Sequence, residues 1–173
     1  MLKKMKVRYK LLLLIGIFVL GFLMLGVFSS KVITDIKING AMYKEIIMGK
    51  DLVSDILPPP EYIVESHLTT LQLLNEDNKN KIDEEIQYEN GLEKDYNTRH
   101  QVWTQSLPKG TMRKIMVEDS YNYAKEYFDV FNNEFVPCIK SGDKQKAELI
   151  LDDKLEMLYT KHRSAINEVV KLA

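Results

Sequence analysis

The chain is poor in the residues that build cross-links, metal centres and irregular folds. It has a single cysteine, Cys138, which excludes an intramolecular disulfide and every CxxC zinc or redox motif. Five prolines and eight glycines in 173 residues exclude a collagen-like or linker-dominated protein. Strand signals are nearly absent after residue 31. The one hairpin-like pair, Asn39-Gly40, is flanked by VITDIKI and AMYKEII, which follow helical spacing better than alternation. No Ser, His and Asp grouping with a nucleophile turn occurs, and no phosphate-cradling glycine loop. Paired acids such as Asp152-Asp153 and Glu84-Glu85 read as solvated helix faces, so no enzymatic chemistry is expected. Beyond the first ten residues there is no basic stripe of the kind needed to neutralise a phosphate backbone, which argues against a nucleic-acid partner.

What the chain does have is a sharply divided charge and one long apolar run. Residues 1–10 carry Lys3, Lys4, Lys6, Arg8 and Lys10 without an acid; against a net charge of −1 for the whole, this leaves −6 on the remainder. Leu11 to Phe28, LLLLIGIFVLGFLMLGVF, has no charged or polar side chain. As a helix these eighteen residues cover about 27 Å, roughly the hydrocarbon thickness of a bilayer. A cleaved signal peptide competes with an anchor, but its apolar stretch is shorter and ends in small residues, and Val27-Phe28-Ser29-Ser30-Lys31 matches that poorly. The organisation expected is a basic cytoplasmic tail (1–10), a transmembrane helix (11–28) and an outer domain (31–173), oriented by the basic tail.

The outer domain reads as all-α. Val117, Tyr121, Ala124, Phe128, Phe131, Phe135 and Cys138 recur at alternating steps of four and three, as do Leu151, Leu155, Leu158, His162, Ala165, Val169 and Leu172. A third seam runs through Val32, Ile36, Asn39, Tyr43, Ile46, Lys50, Val53 and Leu57, continuous with the membrane helix. A weaker one runs through Ile82, Ile86, Glu89, Glu93, Tyr96, His100 and Trp103. The expected fold is a transmembrane helix continuing into an antiparallel four-helix bundle. Breaks fall at Pro58-Pro59-Pro60, at Leu107-Pro108-Lys109-Gly110, and at Ser141-Gly142-Asp143, where a C-terminal glycine meets an N-cap aspartate. The segment 61–74 is too short to match its neighbours. If the chain returns to the membrane, parity places it as a short extra helix or cap far from the bilayer.

Several stretches resemble the outer sensory region of bacterial methyl-accepting chemotaxis proteins. They are Gly40-x-x-Tyr43, Gly49-Lys50-Asp51-Leu52, the run from Asp55 through Pro58-Pro59-Pro60-Glu61-Tyr62 to Ser66, Arg99-His100-x-x-Trp103, Asn132-Asn133-Glu134-Phe135, and Tyr159-x-x-His162-Arg163-x-Ala165-Ile166. The resemblance implies a homodimer in the bacterial cytoplasmic membrane, N-terminus inside, with a helical outer domain between two spans. A HAMP relay and a kinase-engaging cytoplasmic hairpin would follow. The sequence stops after the fourth helix, so the expectation is either the amino-terminal piece of a receptor or a stand-alone remnant, coupled to a kinase only through parts it lacks.

Ionisable residues on seams that should be apolar mark the candidate sites, because an unpaired buried charge costs several kcal/mol. Arg99, His100 and Trp103 on one helix, and Tyr159, His162 and Arg163 on another, are expected to meet. Two arginines would there hold a carboxylate against flat apolar walls, unless Glu89 and Glu93 pair with them instead. A second candidate is a rim at the triple proline, with Tyr62 and Glu65 supplying polar groups; its bland alternative is a rigid turn at Pro58, Pro59 and Pro60. His67 is expected to be a surface or interface side chain, and Cys138 a small buried hydrophobe. No metal or cofactor is expected, with one alternative: axial haem ligation by His100 and His162 on facing helices. The function expected is a membrane-anchored sensor that binds a small ligand between helices and passes on a helix displacement. The alternative is a single-span structural or protein-binding bundle without a ligand.

Overall fold

The computed structural model describes residues 6–38, 40–56 and 63–173. They are almost wholly helical, with no strand among the described residues. The chain divides into two compact units, residues 1–49 and 50–173.

The first unit is dominated by α1, Val7–Ile36, thirty residues or about 45 Å of helix with no buried side chain. Its apolar length is sufficient to cross a membrane. A turn ends it: the Gly40 amide donates to the Lys37 carbonyl at 2.7 Å, and α2 begins at Ala41 and runs to Ile56. Gly40 is buried so closely under α1 that a β-carbon there would lie 2.7 Å from the Thr34 carbonyl oxygen, a contact no side chain tolerates. This turn resets the helical register. The seam expected through Tyr43, Ile46, Lys50 and Val53 is therefore displaced: Leu52 and Ile56 are the buried positions of α2, and Lys50 is exposed, so its charge needs no partner. Asn39, Leu57, Pro58, Pro59, Pro60 and Tyr62 lie outside the described residues.

In the second unit α3, Val64–Asn75, is followed by α4, Lys79–Ser106, and by two long helices, α5 (111–141) and α6 (144–172). The Asn78 side chain caps α4 by accepting from the Asn80 amide at 3.0 Å. Gly142, at φ 78°, ends α5 in the left-handed region, and the Asp143 carboxylate starts α6 by accepting from the Lys146 amide at 3.1 Å. Gly142→Ala, which forces an L side chain into that conformation, is expected to lower stability by about 1 kcal/mol in denaturant unfolding.

α3 does not cap the tip of the bundle. It runs antiparallel along α4, with Glu65 beside Tyr88 and Gln72 beside Glu84 and Glu85. Asp55 of α2 meets α4 further along in the same sense, at Arg99 and Trp103. The end of α2 and the whole of α3 thus form, in two pieces, the first rod of a four-helix bundle.

The core carries the two strong seams. Ala124, Phe128, Phe131, Phe135 and Cys138 of α5 and Leu151, Leu155, Leu158, His162, Ala165 and Val169 of α6 are buried, as are Ile82, Ile86, Glu89, Tyr96 and Trp103 of α4. Both long helices widen locally into π-helical turns, at Lys114–Ser120, Phe131–Phe135 and Leu151–Leu155. Such turns misalign carbonyls from their usual intrahelical donors and often mark functional positions.

Candidate functional site

Two polar clusters hold the rods together, and both involve residues the spacing singles out. The lower one joins α2 to α4. Asp55 on the last turn of α2 pairs with the Arg99 guanidinium and accepts from the Trp103 indole N–H at 2.9 Å. Arg99 stays 37 % exposed along its side chain, and its buried Nε has no hydrogen-bond partner among the described residues. One carboxylate therefore bridges a half-open guanidinium and a buried indole.

One turn along, the His100 Nε2 lies 2.9 Å from the Val117 carbonyl oxygen, and its ring stacks on Tyr121 with centroids 3.6 Å apart. Tyr121 in turn donates to Asn97 at 3.2 Å and stacks on Tyr96, which meets the His162 ring edge-on at 5.9 Å. The His162 Nδ1 lies 3.0 Å from the Ser120 carbonyl oxygen. Both histidines thus donate to carbonyls of the π-helical turn Lys114–Ser120, one from α4 and one from α6. Each ring spends a nitrogen on the backbone of α5, which explains how two polar side chains occupy an apolar seam. No group of three or more metal-ligating side chains occurs among the described residues.

The expected meeting of the two arginines does not occur. Arg163 points outward from α6, exposed, and no ion pair joins it to the Asp55 cluster among the described residues. Glu89 and Glu93 pair with neither arginine: Glu93 accepts from the Asn132 amide at 3.0 Å, and Glu89 is buried against α3. The reason is angular. Adjacent residues on a helix point 100° apart, and here His162 takes the core-facing direction and Arg163 the solvent-facing one.

The upper cluster links α3, α4, α5 and α6, and the sequence reading passed over most of it. The Tyr127 hydroxyl lies 2.8 Å from Thr70 Oγ1, 3.4 Å from His67 Nδ1 and 3.4 Å from the Ser66 carbonyl oxygen. Of the surface or interface positions expected for His67, the structure gives the interface, buried between α3, α5 and α6. Its Nε2 lies 3.0 Å from Glu156 Oε2, and its ring stacks flat on Tyr159 at 4.1 Å. A ring that donates through Nε2 and accepts at Nδ1 is neutral, in keeping with burial, which lowers the His67 pKa more than Glu156 raises it. Burial likewise pushes the Tyr127 phenol far up. Tyr159, expected beside Arg163, belongs here instead. Glu65 sits outside this cluster, in an open groove of about 450 Å³ between α3 and α4, where the Tyr88 hydroxyl donates to it at 3.3 Å.

Beside the upper cluster lies Glu89, 1 % exposed. Burial raises its pKa to about 7, with the Ser66 hydroxyl pulling it down and the neighbouring Glu93 pushing it further up. The signal that could have disclosed this cluster was present in the sequence: α3 carries Ser66, His67, Thr69 and Thr70 where an ordinary amphipathic helix carries leucines.

A profile of the four-helix-bundle sensory modules for signal transduction matches residues 4–173. No curated protein and no solved structure matches the chain.

Proposed function

The chain belongs to the four-helix-bundle sensory modules of chemoreceptors, a signal-transduction family rather than an enzyme family, and on that premise we propose that it is a membrane-anchored sensor whose Arg99 takes a carboxylate ligand in competition with Asp55. In this reading α1 spans the bacterial cytoplasmic membrane with the basic residues inside and the bundle outside. Two chains pair, and the ligand's signal reaches a cytoplasmic module through helix movement.

The observation that supports the site is the Asp55–Arg99–Trp103 clamp. Asp55 already offers Arg99 and Trp103 what a ligand carboxylate would offer. A ligand that replaces it frees the end of α2 from α4, and α2 is the helix that follows the anchor. The ligand then has the differential affinity for two packings that a sensor requires. Arg99 supplies charge and Trp103 a flat donor wall.

The test is a thermal-shift panel of mono- and dicarboxylates, amines and neutral compounds on the full chain in nanodiscs. A carboxylate at about 100 times its Kd is expected to stabilise the wild type by about 2.7 kcal/mol. Arg99→Ala should abolish the shift, and Arg163→Ala should leave it intact. If no carboxylate moves the midpoint, this reading is lost. The second reading, an anchored bundle that binds protein rather than a small ligand, draws on one observation: α3 turns Val64, Leu68 and Leu71 outward.

A further inference from the structure

α3 buries a largely polar face and leaves an apolar stripe outside. Its exposed stripe is Val64, Leu68 and Leu71, with Leu68 51 % and Leu71 40 % exposed. The opposite side, facing the bundle, is Ser66, His67, Thr69 and Thr70, all buried, together with Ile63 and Leu73 of the apolar core. At 100° per residue Leu68 and Thr70 are separated by 160°, so the outward leucines and the buried hydroxyls occupy opposite faces of the helix. A helix docked in this way gains less from apolar burial than its leucines would supply. Ile63 and Leu73 anchor it in the core, and the rest of its docking depends on whether the buried polar groups are satisfied.

Glu89 lies in that interface with both carboxyl oxygens buried and neither within hydrogen-bond distance of a partner among the described residues. It faces Ser66 of α3 across the interface, with Glu93 and Tyr88 on its own helix and Tyr127 on α5; through Tyr127 it is linked to His67 of α3 and to Glu156 and Tyr159 of α6. None of these neighbours is a lysine or an arginine, and no cation forms an ion pair with Glu89 among the described residues. The carboxyl is therefore surrounded by hydroxyls and another acid. An ionised carboxylate in such a place pays desolvation without Coulombic return, whereas a protonated one is an ordinary hydrogen-bonding group.

We propose that Glu89 is a proton switch for this module: α3 docks on α4 and α5 while the carboxyl carries its proton, and loosens when it ionises. Bundle packing then follows the pH around it, independently of any ligand at Arg99.

The direction follows from linkage. Glu89 binds its proton more tightly folded than unfolded, where the ordinary value is 4.5. Its contribution is complete below that value and is lost as pH rises through about 7. His67 has the opposite sign: its lowered pKa gives a contribution present above the ordinary 6.5 and lost as pH falls. Above about pH 6.5, where His67 no longer opposes it, stability of the full chain in nanodiscs is therefore expected to fall as pH rises. The Glu89 contribution to the folding constant drops on the order of 50-fold between about pH 5 and pH 8. Glu89→Gln, which mimics the protonated form, should flatten this arm, and amide protection factors over residues 64–75 should stop falling with pH. A Glu89→Gln profile that tracks the wild type overturns the proposal. Should that variant fail to fold, a carbon-13 glutamate carboxyl titration of the wild type decides: a resonance titrating near 7 supports the switch, and full ionisation of every glutamate by about pH 5.5 overturns it.

Discussion

Phe131→Ala is expected to destabilise the bundle by about 3–5 kcal/mol, enough to unfold a marginal domain. Phe131 is wholly buried at the start of a π-helical turn of α5, with its ring 5.6 Å from that of Phe135. Removing the ring takes away both its transfer free energy and the contacts of its neighbours. The wider backbone of a π turn has little freedom to close over the void. The measurement is denaturant unfolding followed by helical circular dichroism, with Leu149→Ala as the control. Leu149 is exposed on α6, and its truncation should change stability by less than about 0.5 kcal/mol. A loss under about 1 kcal/mol for Phe131→Ala would mean that the α5 register is wrong.

Asp55→Ala is expected to cost about 1.5–3 kcal/mol. It strands the Arg99 guanidinium without its counter-charge and the buried Trp103 N–H without its acceptor. Partial exposure of Arg99 keeps the value below that of a fully buried pair. Asp55→Asn separates the two contributions, since it retains an acceptor for the indole but removes the charge, and should lose less. The same variant bears on sensing. With the internal carboxylate gone, a carboxylate ligand no longer competes for Arg99 and should bind more tightly to Asp55→Asn than to the wild type. Equal affinity in the two would leave Arg99 outside the binding step, while the stability loss alone would still report the clamp.

The clamp and the upper cluster differ in how far they could be read beforehand. Arg99 and Trp103 stand out as a charged and an aromatic residue on one α4 seam, but their partner Asp55 lies 44 and 48 positions away. Nothing local marks Asp55 among the acids of α2. His67 lies between Ser66 and Leu68 on a helix whose leucines suggest the inward face, so nothing local places its ring inside. Polar contacts to Tyr127 and Glu156 turned that helix over, placing Ser66, His67 and Thr70 inside. The expected seam position of Lys50 fails for a different reason: α1 ends at Ile36 and α2 starts anew at Ala41, so a seam carried from one to the other does not keep its phase.

What the sequence determined by itself is everything governed by a repeat within one helix. That includes the apolar length of α1, the seams of α5 and α6, the helix stops at Leu107-Pro108 and Gly142, and with them the four-helix architecture. A periodicity near 3.6 is written in neighbouring residues, and hydrophobic burial needs only a face, not a named partner. The tertiary structure alone decided which polar groups meet: Asp55 with Arg99, Thr70 with Tyr127, and His67 with Glu156. Hydrogen bonds are directional and short, so their partners are chosen by the angle at which helices dozens of residues apart come together.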